Sequence, residues 1–143
     1  MIPDFDTLGN LPPGIWSASI ADVSLRYAIN THRQKLFQAM KNTLEILQAA
    51  NCEKVFLNGS FICDIAEPRD YDLCYEWQGM KPTKEFQALL EDTPEARKQK
   101  HLGDIFIRMP VPPFLDDYVQ MWQVDRDNNV KGIIQIDLQR HGK

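Results

Sequence analysis

Val55-Phe-Leu-Asn-Gly-Ser-Phe-Ile-Cys-Asp-Ile-Ala-Glu-Pro-Arg-Asp-Tyr-Asp-Leu-Cys-Tyr-Glu76 is two short apolar runs joined by a polar, turn-rich middle. The first run stops at Gly59-Ser60, and the second opens on Asp70-Tyr71-Asp72. Successive side chains of an extended chain alternate faces, so Asp70 and Asp72 are expected on one side of a strand Asp70–Glu76. Two carboxylates that close repel unless a positive charge lies between them, and a divalent cation is the usual answer. Gly59 lets backbone approach a ligand, and Ser60 can offer a hydroxyl and an amide to a phosphate. Together they suit phosphoryl or nucleotidyl transfer.

Upstream, Leu36, Phe37, Met40, Leu44 and Leu47 recur at helical spacing, which predicts an amphipathic helix from Thr31 to Ala50. Asn30 or Thr31 can cap it, and Asn51 can end it in a left-handed conformation. A strand Lys54–Asn58 follows. Before the helix, Ile20 to Ala28 reads as a short helix capped by Ser19. Residues 1–16 hold Pro3, Gly9, Pro12, Pro13 and Gly14, and are expected to form an arm without regular structure that packs through Ile2, Phe5, Leu8, Ile15 and Trp16.

Downstream, Thr83 caps one helix, and Thr93-Pro94 starts another that His101-Leu102-Gly103 ends. The charges of Glu95–His101 read as a solvated helix face. Asp104–Arg108 is expected as a third strand. Leu115, Tyr118, Val119 and Trp122 fit a short helix, whereas Gln120–Val124 and Val130–Leu138, flanking Asp125–Asn129, fit a C-terminal β-hairpin. The expected class is α/β (α+β): one domain over residues 1–143, with a small mixed sheet flanked by helices.

The composition bounds the rest. With 143 residues, 43% of them hydrophobic, the chain can bury a real core. A net charge of -4 argues against a broad nucleic-acid-binding face but permits a nucleotide substrate, because a metal ion brings its own charge. Cys52, Cys63 and Cys74 contain no Cys-x-x-Cys pair, which favours free thiols and a reducing compartment. With no long apolar run and no signal-peptide pattern, a cytoplasmic location and no membrane partner are expected.

At Gly59-Ser60 and Asp70-Tyr71-Asp72 the chain resembles the polymerase-beta-like nucleotidyltransferase superfamily, and most nearly its minimal bacterial members, some of them found in toxin–antitoxin pairs. The resemblance implies that Asp70 and Asp72 coordinate Mg²⁺ (or Mn²⁺) and that Gly59 and Ser60 hold the phosphates of an NTP. It also implies a third carboxylate on a later strand. Asp104 is the favoured candidate and Asp137 the less favoured. Many such proteins carry a second glycine where this chain has Asp64. The implied activity is transfer of a nucleoside monophosphate to a hydroxyl of a protein, RNA or small molecule. The alternative is a catalytically degenerate binding module, one component of a toxin–antitoxin or regulatory pair whose protein partner is encoded nearby. Lys131, beside a glycine, is a weaker candidate to meet a nucleotide.

Overall fold

In the computed structural model, which describes residues 2–110, 116–124 and 127–139, a five-stranded mixed sheet runs in the order β1-β5-β2-β3-β4. The strands are β1 (Gly14–Ser17), β2 (Lys54–Asn58), β3 (Tyr71–Tyr75), β4 (Gly103–Ile107) and β5 (Gly132–Asp137). β2 pairs antiparallel with both β3 and β5, while β1–β5 and β3–β4 are parallel. The α+β class is as expected.

Helix α1 (Ile20–Tyr27) begins with a reciprocal capping box between Ser19 and Asp22. Helix α2 (Thr31–Ala49) starts at the Asn30 cap and ends before Asn51, which is left-handed at φ 65°. Thr83 and Thr93 cap α3 (Lys84–Glu91) and α4 (Pro94–His101). Alternation along the strands sorts two cores. On one face Leu57, Tyr71, Leu73, Tyr75 and Ile134 pack against Val23 and Tyr27 of α1, Met40, Leu44 and Leu47 of α2, and Phe86 and Leu89 of α3. On the other, Phe56, Cys74 and Ile133 meet Val119, with Phe106, Tyr118 and Trp122 around them. Both faces of β2 are thus covered, which is why Val55–Leu57 is uninterruptedly apolar.

Two expectations are corrected. The arm is not wholly irregular: Gly14–Ser17 forms β1, which pairs parallel with β5 at a sheet edge. Pro12 and Pro13 end before the ladder begins, so they do not break it, and the Trp16 indole N–H donates to the Pro12 carbonyl. The C-terminal hairpin is reduced to one antiparallel bridge, Val124–Val130, and β5 lies inside the sheet between β1 and β2. Helical spacing wins over strand here. Tyr118–Met121 forms α5, opened by an Asp117–Gln120 capping box, with Tyr118 stacked on Phe106 and Trp122 edge-on to the same ring. Leu115 and Asp125, which belonged to these two readings, lie outside the described residues.

Cys52, Cys63 and Cys74 are free thiols. Burial pushes Cys52 up to about 11 and Cys74 up to about 12, so both remain protonated and unreactive. Among the described residues no helix is long and apolar enough to cross a membrane.

Candidate functional site

The parallel pairing of β3 with β4 sets Asp72 opposite Asp104 at the start of both strands. Tyr71 and Gly103 are the neighbouring pair, and their contact fixes how closely the strands approach. The Tyr71 ring passes under Gly103, where an added Cβ would lie 2.5 Å from it. The Tyr71 hydroxyl is held on the far side by Thr43 of α2, at 2.8 Å. Turning Tyr71 into the helical core therefore turns Asp72 to the opposite face. Asp70 precedes β3, and its side chain joins the others: one carboxylate oxygen from each of Asp70, Asp72 and Asp104 lies within 4.8 Å of the other two.

Asp72 feels this arrangement most. Burial pushes its carboxyl up to about 7, assisted by the charges of Asp70 and Asp104 and by a hydrogen bond with Asp104. On its other flank β2 places Asn58 in register with it, and Gly59 follows at φ 84°. A Cβ on Gly59 would overlap the Asp72 carboxylate, so glycine is required both by the backbone angle and by the space against Asp72. Ser60 then starts a tight 3-10 turn, Ser60–Ile62. The two halves of the motif, separate in sequence, are thus neighbours across β2 and β3.

Three residues outside the sequence motif complete the site. Lys98 of α4 reaches the acids, its ammonium 3.0 Å from Asp70 and 3.5 Å from Asp104. These carboxylates raise the ammonium's proton affinity, the hydrogen bond to Asp70 foremost. The Glu95–His101 run is therefore not simply a solvated face. Which helix position meets β4 depends on the left-handed turn at Leu102, whose N–H donates to the Lys98 carbonyl, and a charge pattern does not encode that. Lys131 hydrogen-bonds the Asn58 side chain, which brings a second cation to the strand position beside Asp72.

Arg33 of α2 is the third. It is 2% exposed, and no acid among the described residues is buried with it. Its guanidinium donates to the carbonyls of Tyr27, Phe61, Cys63 and Ile65 at 2.6–3.3 Å. It thereby ties down the loop after Gly59-Ser60. The only advance signal was an arginine on the apolar side of an amphipathic helix. The N-terminal arm closes the same loop from outside: Asp64 N–H donates to the Gly9 carbonyl, and the Cys63 thiol to Asn10. Asp64, standing where many of the resembling proteins have glycine, is held in place by that arm.

Asp137 does not join the cluster. It pairs with Lys54, whereas Asp72 pairs with Asn58, so the two lie at opposite ends of β2, roughly 13 Å apart along the strand direction. Its carboxylate accepts from Gln135. The expectation of Asp137 as third ligand is thereby removed on geometric grounds.

The donor set fits a divalent cation. Three carboxylates offer hard oxygen ligands of the kind Mg²⁺ and Mn²⁺ prefer, and the absent Cβ at Gly59 leaves room for the Asp72 carboxylate where it sits.

Compared with known protein families, residues 3–137 match the model described as "Family of unknown function (DUF6932)", and the chain belongs to that family. Comparisons with curated proteins and with solved structures give no match.

Proposed function

We propose that this DUF6932 protein is a divalent-metal-dependent nucleotidyltransferase that moves a nucleoside monophosphate from an NTP to a hydroxyl acceptor. The observation that carries the reading is the convergence of Asp70, Asp72 and Asp104 beside the Gly59-Ser60 turn. Asp70, Asp72 and Asp104 would hold Mg²⁺ or Mn²⁺. The bound ion supplies Lewis-acid stabilisation of the charge that builds on the phosphates and on departing pyrophosphate. Gly59 and Ser60 hold the outer phosphates through backbone amides and the hydroxyl, and the loop behind them is kept rigid by Arg33. The acceptor oxygen bonds to the α-phosphorus, the bond to the β-phosphate oxygen breaks, and the acceptor proton passes to a carboxylate of the set.

Thermal unfolding with each NTP plus Mg²⁺ or Mn²⁺ tests this. A ligand at a hundredfold excess over its Kd stabilises the folded state by ~2.7 kcal/mol. A metal-dependent rise is expected in the wild type and none in the Asp70→Asn, Asp72→Asn double variant. Absence of any shift with every nucleotide would refute the reading.

The ion pair of Lys98 with Asp70 favours a second reading, in which a resident cation has replaced the metal and the domain is a binding module of a two-protein pair. A stable complex with the product of a neighbouring gene, unchanged by Asp70→Asn, together with no nucleotide response, would select it.

A further inference from the structure

We infer that Lys98 is a tethered counter-ion that holds the acidic cluster in the metal-free protein, gives way to a divalent cation, and then serves the anionic phosphates bound beside that cation. The inference rests on the metal-site reading above and extends it to a residue outside the sequence motif.

Three observations carry it. First, the ammonium lies between two acids of the cluster, 3.0 Å from Asp70 and 3.5 Å from Asp104. A metal bound through those oxygens and an ammonium left at these distances would repel each other strongly, because two cations would share the same ligand atoms. Second, the pair is weakly held. The Lys98 side chain is 51% exposed, and exposed pairs of this kind contribute little to stability, so it can be displaced without disturbing the fold. Third, the backbone that carries it is fixed. The Lys98 carbonyl accepts from Leu102, the left-handed residue that turns α4 into β4, and Asp104 follows directly on that strand. The stem therefore pivots from a fixed point beside Asp104. An ammonium displaced from Asp70 stays within one side chain's reach of the cluster, where it can meet the phosphates of a ligand held there.

The test uses the full chain, wild type and Lys98→Gln, with Mn²⁺ itself as the first probe and tripolyphosphate as the second. Tripolyphosphate supplies the phosphate chemistry without committing to a base. Free Mn²⁺ is followed by its paramagnetic resonance signal. Without phosphate, K98Q should bind Mn²⁺ about fivefold more tightly than the wild type, since a competing charge has been removed. With Mn²⁺ present, the order should reverse and K98Q should bind tripolyphosphate several-fold more weakly. A structural role for Lys98 would move both affinities in the same direction.

If the wild type binds Mn²⁺, Asp72→Asn abolishes that binding, and K98Q binds no more tightly, the inference is overturned while the metal site stands. If K98Q binds Mn²⁺ and the wild type does not, the release of Lys98 is refuted, and transfer by the native protein with it. If neither binds, the metal site and the inference fall together.

Discussion

Replacing Arg33 with methionine keeps an unbranched apolar stem, two atoms shorter, and removes the fork of donors. The carbonyls of Tyr27 and Phe61 accept from Arg33 in fully buried positions, whereas those of Cys63 and Ile65 are partly reached by solvent and can turn to water. An unsatisfied buried carbonyl costs ~1–3 kcal/mol, so the two buried ones set a gross loss of ~2–6 kcal/mol. Removing the guanidinium also removes its own dehydration cost, the burial that lowers its proton affinity in the native protein. We expect a net destabilisation of ~3 kcal/mol in denaturant unfolding, a large share of a typical domain's stability. Hydrogen exchange should quicken in residues 61–65 before it does in the β2–β3 ladder. Arg33→Lys keeps a charge but not the planar fork, and should recover less than half of the loss. A methionine variant within ~0.5 kcal/mol of wild type would refute the reasoning, since surface changes commonly fall in that range. A lysine variant as stable as wild type would show that charge, not the fork, is what matters.

Gly59→Ala should cost at least ~2 kcal/mol through its positive φ and the overlap with Asp72, and should abolish Mn²⁺ binding; a normal Mn²⁺ titration would refute the proposed closeness of turn and carboxylate. Asp72 keeps its proton up to about pH 7 when folded but only to about 4 when unfolded, so the metal-free protein should lose stability as pH rises through that window. The loss is at most ~4 kcal/mol, reduced by solvent screening of Asp70 and Asp104. It should vanish in Asp72→Asn, and Mn²⁺ affinity should climb over the same pH interval. A flat stability profile would refute the crowding of the three acids. Tyr71→Phe and Thr43→Val should each cost ~1 kcal/mol and be less than additive in a double-mutant cycle, because each deletes the same buried hydrogen bond; full additivity would argue against the contact.

The strands and helices that bracket the motif were legible because their signals are local. Val55–Leu57 is an apolar run, Asn30, Thr83 and Thr93 are side-chain caps, and Asn51 and Gly59 stand where the chain adopts positive φ. The juxtaposition of Asp72 with Asp104 was approachable by chain order, and chain order left Asp137 open. Strand register separates the two: β3–β4 pairing sets Asp104 beside Asp72, and β2–β5 pairing sets Asp137 against Lys54. The roles of Arg33 and Lys98 were not legible. Arg33 acts through carbonyls of a loop far along the chain, and Lys98 through a helix phase that Leu102 fixes. The N-terminal strand was hidden for a related reason: β1 has no local partner, and its pairing with β5 joins opposite ends of the chain.

That pairing has a consequence for vectorial synthesis. The segments bearing Gly59, Asp70, Asp72 and Asp104 all emerge from the ribosome before Gly132–Asp137 does. β2, β3 and β4 can therefore pair, and the acids gather, while β2 still presents Val55, Phe56 and Leu57 along an open edge. An edge of this kind recruits strands from other chains. Chain order thus permits a stage with the carboxylates in place and the sheet unsealed. Arrival of β5 seals the edge of β2 and gives β1 its ladder partner among the described residues, so closure waits for the last of the five strands.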